Sequence, residues 1–204
     1  LGWDYDDTVT TSSHPYLAAA ARVSGTSESL TFSMDNVDIS PASTNAAPTV
    51  ATAAAASPTT VTGSTTSLSV LGADDGGESG LTYTWSTTSK PSGASDPTFS
   101  ANGTNAAKDA TATFSQAGNY TFLATISDGS LTATSSVNVE VDQTLTAIIV
   151  SPASATVDET ATQQFSATAK DQFGIAMSSQ PSFTWSVPTG SGTISSTGLY
   201  TAGS

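Results

Sequence analysis

Cysteine is absent from the 204 residues, which excludes a disulfide framework, a thiolate nucleophile and a thiolate metal site. Stability must therefore come from packed cores. Basic residues are also scarce, since four Lys and Arg stand against 17 Asp and Glu and give a formal net charge of −13. So few cations cannot neutralise a phosphate backbone or an anionic lipid surface. The sequence thus argues against nucleic acid as a partner and against anionic membranes.

Histidine occurs once, as His14, directly before a proline in a Ser-rich stretch. A solvated loop histidine is the favoured interpretation over a general base. Without a second histidine or any cysteine, a zinc or copper site of the usual type is hard to build. Glycoside hydrolysis needs only two carboxyl groups, but no pair of the right kind stands out. The sequence therefore predicts that this chain is not an enzyme.

Long hydrophobic runs are missing as well, because the apolar 37% of the chain is spread in short alternating stretches. No run reaches the 18 or more residues that predict a membrane-spanning helix, and none is typical of a signal peptide. We therefore expect no membrane insertion, and any export signal must lie outside these residues. The acidity, the few lysines and the Ser/Thr richness favour an extracellular or cell-surface location.

A repeat is the main positive feature of the sequence. Leu68–Ser86 and Phe165–Ser186 both run from an alternating strand-like stretch, through a polar loop, into LTYTWS or SFTWS. Their tryptophans, Trp85 and Trp185, are 100 residues apart, about the size of one immunoglobulin-type sandwich. Each copy is therefore predicted to be one domain with its tryptophan in the core.

The stretch Gly118–Gly129 places Tyr120, Phe122, Ala124 and Ile126 at alternate positions, and so on one strand face, and ends in a turn at Asp128-Gly129. It predicts a strand, and Val137, Val139 and Val141 predict the strand that comes next. Tyr120 begins the first of these strands, where a tyrosine-corner residue ties its hydroxyl to nearby backbone. Tyr120 thus joins Trp85 and Trp185 as a predicted structural core residue.

Several motifs in this order, APTV, LTYTWS, ATFSQAGNYTF and ISDGSLTATSSVNVEV, together resemble a PKD-type domain over about residues 46–142, which predicts an immunoglobulin-like sandwich at residues 49–142. The next stretch, from LTAIIVSPASATVDE to GTISSTGLYTAGS, resembles a bacterial Ig-like group 2 domain over residues 145–204. The family pattern implies further strands after Tyr200, so we expect this domain to be truncated. Both resemblances imply non-catalytic sandwiches.

Residues 1–40 read as a partial β-sandwich, because YLAAAARV and SLTFSMDNVDIS supply only two or three strands. The ending FSMDNVDIS resembles the last strand of a lectin-like jelly roll. Residues 41–48 read as a linker. The predicted fold is thus all-β, with tandem immunoglobulin-like β-sandwiches in an elongated, head-to-tail arrangement.

An acidic cluster is the candidate metal site. Asp74, Asp75 and Glu78 lie on one predicted loop and Asp128 on another, and in this fold both loops emerge at the same end of the sandwich. Their oxygens could converge on Ca²⁺ beside Asn45, although the spaced motif of a typical calcium loop is missing. The alternative is that these are hydrated turn acids, and no cofactor is certain.

Trp3 and Tyr5 are the candidate carbohydrate-binding residues, because exposed aromatic faces stack on sugars. Three functions remain open at this point. The first is an extracellular structural or adhesive spacer that holds neighbouring domains of the same protein. The second is a carbohydrate-binding accessory region of a polysaccharide-degrading protein, with a polysaccharide or cell-surface partner. The third is a fibre subunit completed by strand exchange between subunits.

Overall fold

The computed structural model describes residues 44–190 and 192–204. The chain divides into two units, Leu1–Ala42 and Ser43–Ser204, and all described residues lie in the second. The partial sandwich predicted for residues 1–40 lies outside the described residues, as do His14, Trp3 and Tyr5. The described residues are all-β apart from two short 3₁₀ helices, Glu78–Gly80 and Asn105–Lys108.

The first eight strands form two four-stranded sheets. In sheet order the first consists of β1 (Thr49–Ser57), β3 (Thr65–Ala73), β6 (Asp109–Thr113) and β5 (Thr98–Phe99). The second consists of β2 (Thr60–Val61), β8 (Thr132–Val141), β7 (Gly118–Ser127) and β4 (Thr82–Ser89). All neighbours pair antiparallel except β2 and β8, which run parallel.

These strands reflect a period-two pattern in the sequence, because successive side chains of a strand point to opposite faces. Every second residue of β3 is buried from Thr66 to Gly72, and every second residue of β7 from Tyr120 to Ile126. The buried faces of both sheets contribute to one core that contains Leu68, Val70, Leu81, Tyr83, Trp85, Phe114, Tyr120, Phe122, Ile126, Val139 and Val141.

Trp85 is only 2% exposed, and its indole nitrogen donates a hydrogen bond to the Ala107 carbonyl at 2.7 Å. Tyr120 is buried with its hydroxyl donating to the Gln116 carbonyl at 2.8 Å, four residues earlier in the chain. That bond satisfies the one polar atom of a ring packed between sheets. Both residues thus lie in the core, with the polar atom of each ring satisfied by main-chain oxygen.

The remaining five strands belong to the segment after residue 145. They are β9 (Ala147–Ser151), β10 (Thr162–Gln164), β11 (Ser166–Lys170), β12 (Gly192–Ile194) and β13 (Leu199–Ala202). β9 pairs with β11, while β10, β13 and β12 form a three-stranded sheet. Among the described residues from 145 onward, only Ala169, Asp171 and Gly198 are fully buried. This segment therefore has far less core than the first.

The SFTWS stretch differs from its sequence-based expectation. Residues 181–190 form no strand, and Trp185 is half-buried where a core position was predicted. The alternation itself is present, since Phe183, Trp185 and Val187 are less exposed than the residues between them. Among the described residues, no strand pairs with this stretch.

Gly72 offers a test of core packing, because a Cβ there would lie 2.7 Å from both Ile126 Cγ2 and Leu81 Cδ1. We expect Gly72→Ala to lower the free energy of unfolding by about 1–3 kcal/mol through overpacking. Gly80→Ala is the matched control, since its Cβ would meet nothing within 4 Å, and should stay within about 0.5 kcal/mol of wild type. Urea unfolding measures both, and equal stability of the two variants would contradict this packing.

Candidate functional site

Asp128 and Asn45 connect the turn after β7 to the chain that leads into β1. One carboxylate oxygen of Asp128 accepts hydrogen bonds from the amides of Ser130 and Leu131, both at 2.7 Å. The other accepts from Asn45 Nδ2 at 2.9 Å. These bonds, led by those from the Leu131 and Ser130 amides, lower the pKa of Asp128 below its ordinary value of 3.8. Asp128 therefore stabilises its own turn and fixes the incoming chain.

Asp74 and Asp75 have local roles in the turn after β3. Asp74 Oδ2 accepts from the Gly76 amide at 3.0 Å, and Asp75 Oδ1 accepts from the Ala46 amide at 3.4 Å. Asp74 Oδ1 is shielded from solvent with no partner among the described residues. These contacts bring the turn, Asn45 and Asp128 to one end of the sheets, as the sequence indicated.

The fourth predicted calcium ligand, Glu78, instead joins a group of side chains with Tyr83, Asn105 and Lys108. Between residues 44 and 190 and from 192 to 204, no cluster of three or more His, Cys, Asp or Glu is placed to hold a metal ion. The carboxylates serve as acceptors for protein donors. The calcium hypothesis for Asp74, Asp75, Glu78 and Asp128 thus gains no support from this part of the chain.

Glu78 accepts hydrogen bonds from Lys108 Nζ at 3.0 and 3.1 Å, from Asn105 Nδ2 at 3.0 Å and from the Tyr83 hydroxyl at 3.0 Å. Tyr83 is fully buried and its hydroxyl also accepts from the Gly72 amide at 3.1 Å. The bond from Lys108, followed by that from Asn105, holds the pKa of Glu78 below its ordinary value of 4.5. This group ties both 3₁₀ helices to β3 and β4.

A second polar group holds the junction at residues 142–144. Gln172 Nε2 donates to the carbonyls of Asp142 at 2.7 Å and Gly63 at 3.2 Å, and its Oε1 accepts from the Thr144 amide at 2.8 Å. The Thr144 hydroxyl donates to the Thr62 carbonyl at 2.8 Å. The loop after β11 is thereby bonded to the connecting chain and to the loop after β2.

Asp171 anchors this loop from inside, because it is 1% exposed and accepts bonds from the Phe173 and Ile175 amides and from Gln143 Nε2. Gln143 Oε1 in turn accepts from the Ser178 amide and hydroxyl. Phe173 packs against the core of the first eight strands. The two strand-rich segments are thus joined by apolar contact as well as by hydrogen bonds.

An apolar cleft lies beside Trp185. It has a volume of about 640 Å³, and its apolar walls include Val150, Val157, Phe165, Trp185, Val187 and Tyr200. We name it the Trp185 cleft. Near it, Ile148 and Ile149 on β9 are each 52% exposed. The second segment therefore leaves apolar side chains partly open to solvent.

Carbohydrate binding through Trp3 and Tyr5 falls outside the described residues and stays a prediction. Within residues 44–190 and 192–204, the large hydrophobic side chains in the exposed class are all aliphatic, while Trp185 and Tyr200 are half-buried in the walls of the Trp185 cleft. In the same part of the chain, no helix has the length and apolarity to cross a membrane.

Sequence reasoning missed the residues that hold the junction. Gln143 and Gln172 lie in polar loops where a glutamine carries no distinctive signal, and only the fold reveals their partners. Sequence reasoning also missed the pairing of Glu78 with Lys108, because the two residues are 30 positions apart and are separated by β4 and β5.

Comparisons with known proteins return little. No family model matches the chain, and no curated protein matches it significantly. Among solved structures, the chain is similar to one titled "Structure of surface layer protein SbsC, domains 1-6", with 20% identity and a TM-score of 0.26. That alignment covers 68% of this chain and 20% of the other, so the chain spans about a fifth of that structure's length.

The Glu78 group predicts a dependence of stability on pH. Because folding lowers the pKa of Glu78, the unfolded chain takes up the proton at a higher pH than the folded chain does. The stabilisation is therefore fully present above about pH 4.5 and is lost as the pH falls through the folded-state pKa.

We expect Glu78→Gln to lower the melting temperature at pH 7. Between about pH 5 and pH 3, where an ordinary carboxyl group titrates, the melting temperature of this variant should fall less than that of wild type. Glu140→Gln, at an exposed position on β8, serves as the control. Thermal unfolding across this range measures both variants. A Glu78→Gln profile parallel to that of wild type would contradict the assigned role.

Proposed function

We propose that residues 44–204 are a non-catalytic structural segment of a secreted or cell-surface protein, in which immunoglobulin-like sandwiches hold other domains at a fixed spacing. In this proposal residues 49–142 are a PKD-type sandwich and residues 145–204 a bacterial Ig-like one. The strand orders β1-β3-β6-β5 and β2-β8-β7-β4 around one core support the first assignment. Support for the second comes from the sequence repeat around Trp185.

The chemistry of the described residues fits a structural role. Three carboxylates, those of Glu78, Asp128 and Asp171, are the centres of polar clusters. Each accepts hydrogen bonds from residues of nearby loops or connections. Asp128 and Asp171 accept from backbone amides of their own loops, and Glu78 accepts from the side chains of Tyr83, Asn105 and Lys108. A net charge of −13 keeps such a chain soluble and disfavours adhesion to anionic surfaces.

The junction is the observation that carries the proposal. A spacer transmits position only if its domains do not pivot. Here Gln172, which belongs to the second segment, bonds to backbone groups of Asp142 and Thr144 in the connection and of Gly63 in the first segment. Phe173 adds packing against the first core. Inter-domain motion is the default for linked domains unless their contact is well made, and this contact combines both kinds of interaction.

Pulsed electron spin resonance can test this directly, because a cysteine-free chain accepts two spin labels at introduced cysteines without competing thiols. Thr113→Cys on β6 and Thr162→Cys on β10 are exposed positions, one in each segment. We expect a single narrow distance distribution in this background. Adding Gln143→Ala and Gln172→Ala should broaden it, because the connection then loses its side-chain bonds.

Gln163→Ala is the matched control, since Gln163 Nε2 bonds to the carbonyl of its neighbour Gln164. It should leave the distribution narrow. A broad distribution in the labelled chain with all glutamines intact would overturn the spacer proposal. An unchanged distribution in the double variant would show that the glutamines do not fix the junction.

A further inference from the structure

The outer edge of β4, on the side away from β7, is covered by the short segment Asn102–Thr104. The Tyr83 amide donates to the Thr104 carbonyl at 3.1 Å, and the Gly103 amide donates to the Tyr83 carbonyl at 2.8 Å. Further along β4, the Trp85 amide donates to Asn102 Oδ1 at 2.7 Å, and Asn102 Nδ2 donates to the Trp85 carbonyl at 2.9 Å. The side-chain amide of Asn102 therefore takes the place of a peptide group of a neighbouring strand.

Asn102 and Gly103 also form the one Asn-Gly pair in the sequence. In such a pair the backbone nitrogen of glycine can attack the side-chain carbonyl carbon of asparagine, since glycine has no Cβ to hinder the approach. A bond forms between Gly103 N and Asn102 Cγ, the bond from Cγ to Nδ2 breaks, and Nδ2 leaves as ammonia with the proton of the Gly103 amide. Water then opens the succinimide ring at either carbonyl and gives aspartate or isoaspartate.

The fold restrains both reacting groups. The Gly103 N–H is bonded to the Tyr83 carbonyl, and the side-chain amide of Asn102 is bonded to Trp85 through both its oxygen and its nitrogen. Asn102 is nevertheless exposed, so hydrogen bonds to β4, rather than burial, are what hold it. The attack requires residues 102–104 to detach from β4 first, and the population of such a local opening then limits the rate.

The reaction also removes the bonds that held the segment in place. A carboxylate at position 102 has no N–H to donate, so the Trp85 carbonyl loses its partner and faces a negatively charged oxygen instead. Isoaspartate adds one carbon to the main chain before Gly103 and so displaces Gly103 and Thr104 relative to Tyr83. With either product the outer edge of β4 is no longer covered.

We infer that Asn102-Gly103 is a self-modification site at which opening of the β4 edge becomes irreversible. The closed segment suppresses deamidation, and deamidation prevents the segment from closing again. The only reactants are this chain and water. The inference goes beyond the spacer proposal, because it gives the first eight strands a defined route of chemical ageing.

The rate of the reaction can be measured in the 204-residue chain, incubated in mildly alkaline buffer either folded or unfolded in guanidinium chloride. Peptide mass spectrometry follows each asparagine, since deamidation raises the mass of a peptide by about 1 Da. In the unfolded chain we expect Asn102 to react faster than Asn105, Asn119 and Asn138. In the folded chain the rate at Asn102 should fall at least about tenfold, because several hydrogen bonds must break before the attack.

Gly103→Ala tests the chemistry, because a Cβ on the attacking residue hinders its approach to Asn102. In guanidinium chloride this variant should deamidate at position 102 much more slowly than wild type. The comparison is made in the unfolded chain because Gly103 has a φ of 72° in the fold, where alanine is strained.

Asn102→Asp tests the consequence, because it introduces one of the two products. It should lower the melting temperature by several degrees, through the lost donor and the charge beside the Trp85 carbonyl. Asn138→Asp is the matched control, since Asn138 is exposed and its Oδ1 accepts from the Thr121 hydroxyl, a bond that aspartate keeps. It should melt within about 2 °C of wild type.

Three outcomes would overturn the inference. The first is an equal rate at Asn102 in the folded and the unfolded chain, and the second is an unchanged rate in unfolded Gly103→Ala. The third is a product that melts with wild type. Deamidated wild-type chain carries one more negative charge and separates by anion exchange, so its melting is measured even if Asn102→Asp does not fold. None of these outcomes involves the junction at residues 142–144, so the spacer proposal and this inference can fail separately.

Discussion

Pairing of the strand that carries a tryptophan with a neighbouring strand is the constraint on which the rest of this structure depends. In the first segment β4 is bonded to β7 on one edge and to Asn102 and Thr104 on the other. Its backbone is therefore satisfied, and the alternate side chains of both strands can face inward and build a core. In the second segment the corresponding residues 182–187 have no such neighbour among the described residues. The same local pattern there yields a half-buried tryptophan and an open apolar cleft.

Polar side chains order the loops at the ends of the sheets by hydrogen bonds, whereas apolar side chains stabilise the core between the sheets. Glu78, Asp128 and Asp171 each accept several hydrogen bonds from loop amides or nearby side chains. They fix, in that order, the helical turns beside β4, the turn after β7 and the loop after β11. Gln172 then extends this bonding across the junction. A protein with one histidine and no cysteine thus uses carboxylate and amide oxygens to order its connections.

How much the sequence could predict differs between the two segments for a physical reason. Alternation located β3, β4, β7 and β8, and the position of Tyr120 indicated its bond to nearby backbone, because these depend on local geometry. Burial of Trp185 could not be deduced in the same way, since alternation states which face of a strand is apolar and not whether anything covers it. The partners of Glu78 and Gln172 were equally inaccessible, because long-range hydrogen bonds leave no period in a sequence. The calcium hypothesis failed to gain support for a related reason: Glu78 faces Lys108, which lies 30 residues away.

The central claim is that the strand containing Trp85 is paired with a neighbouring strand and that the stretch containing Trp185 is not. Amide hydrogen exchange tests this most directly, because it reports on each backbone N–H separately. We predict that, in the isolated chain, the amides of β4 and β7 exchange slowly while those of residues 183–187 exchange close to the rate of an unstructured peptide. The comparison is internal, since Trp85 and Trp185 lie in similar sequences within one molecule. Equal protection of the two stretches would contradict this prediction, because it would mean that residues 183–187 already have a partner strand.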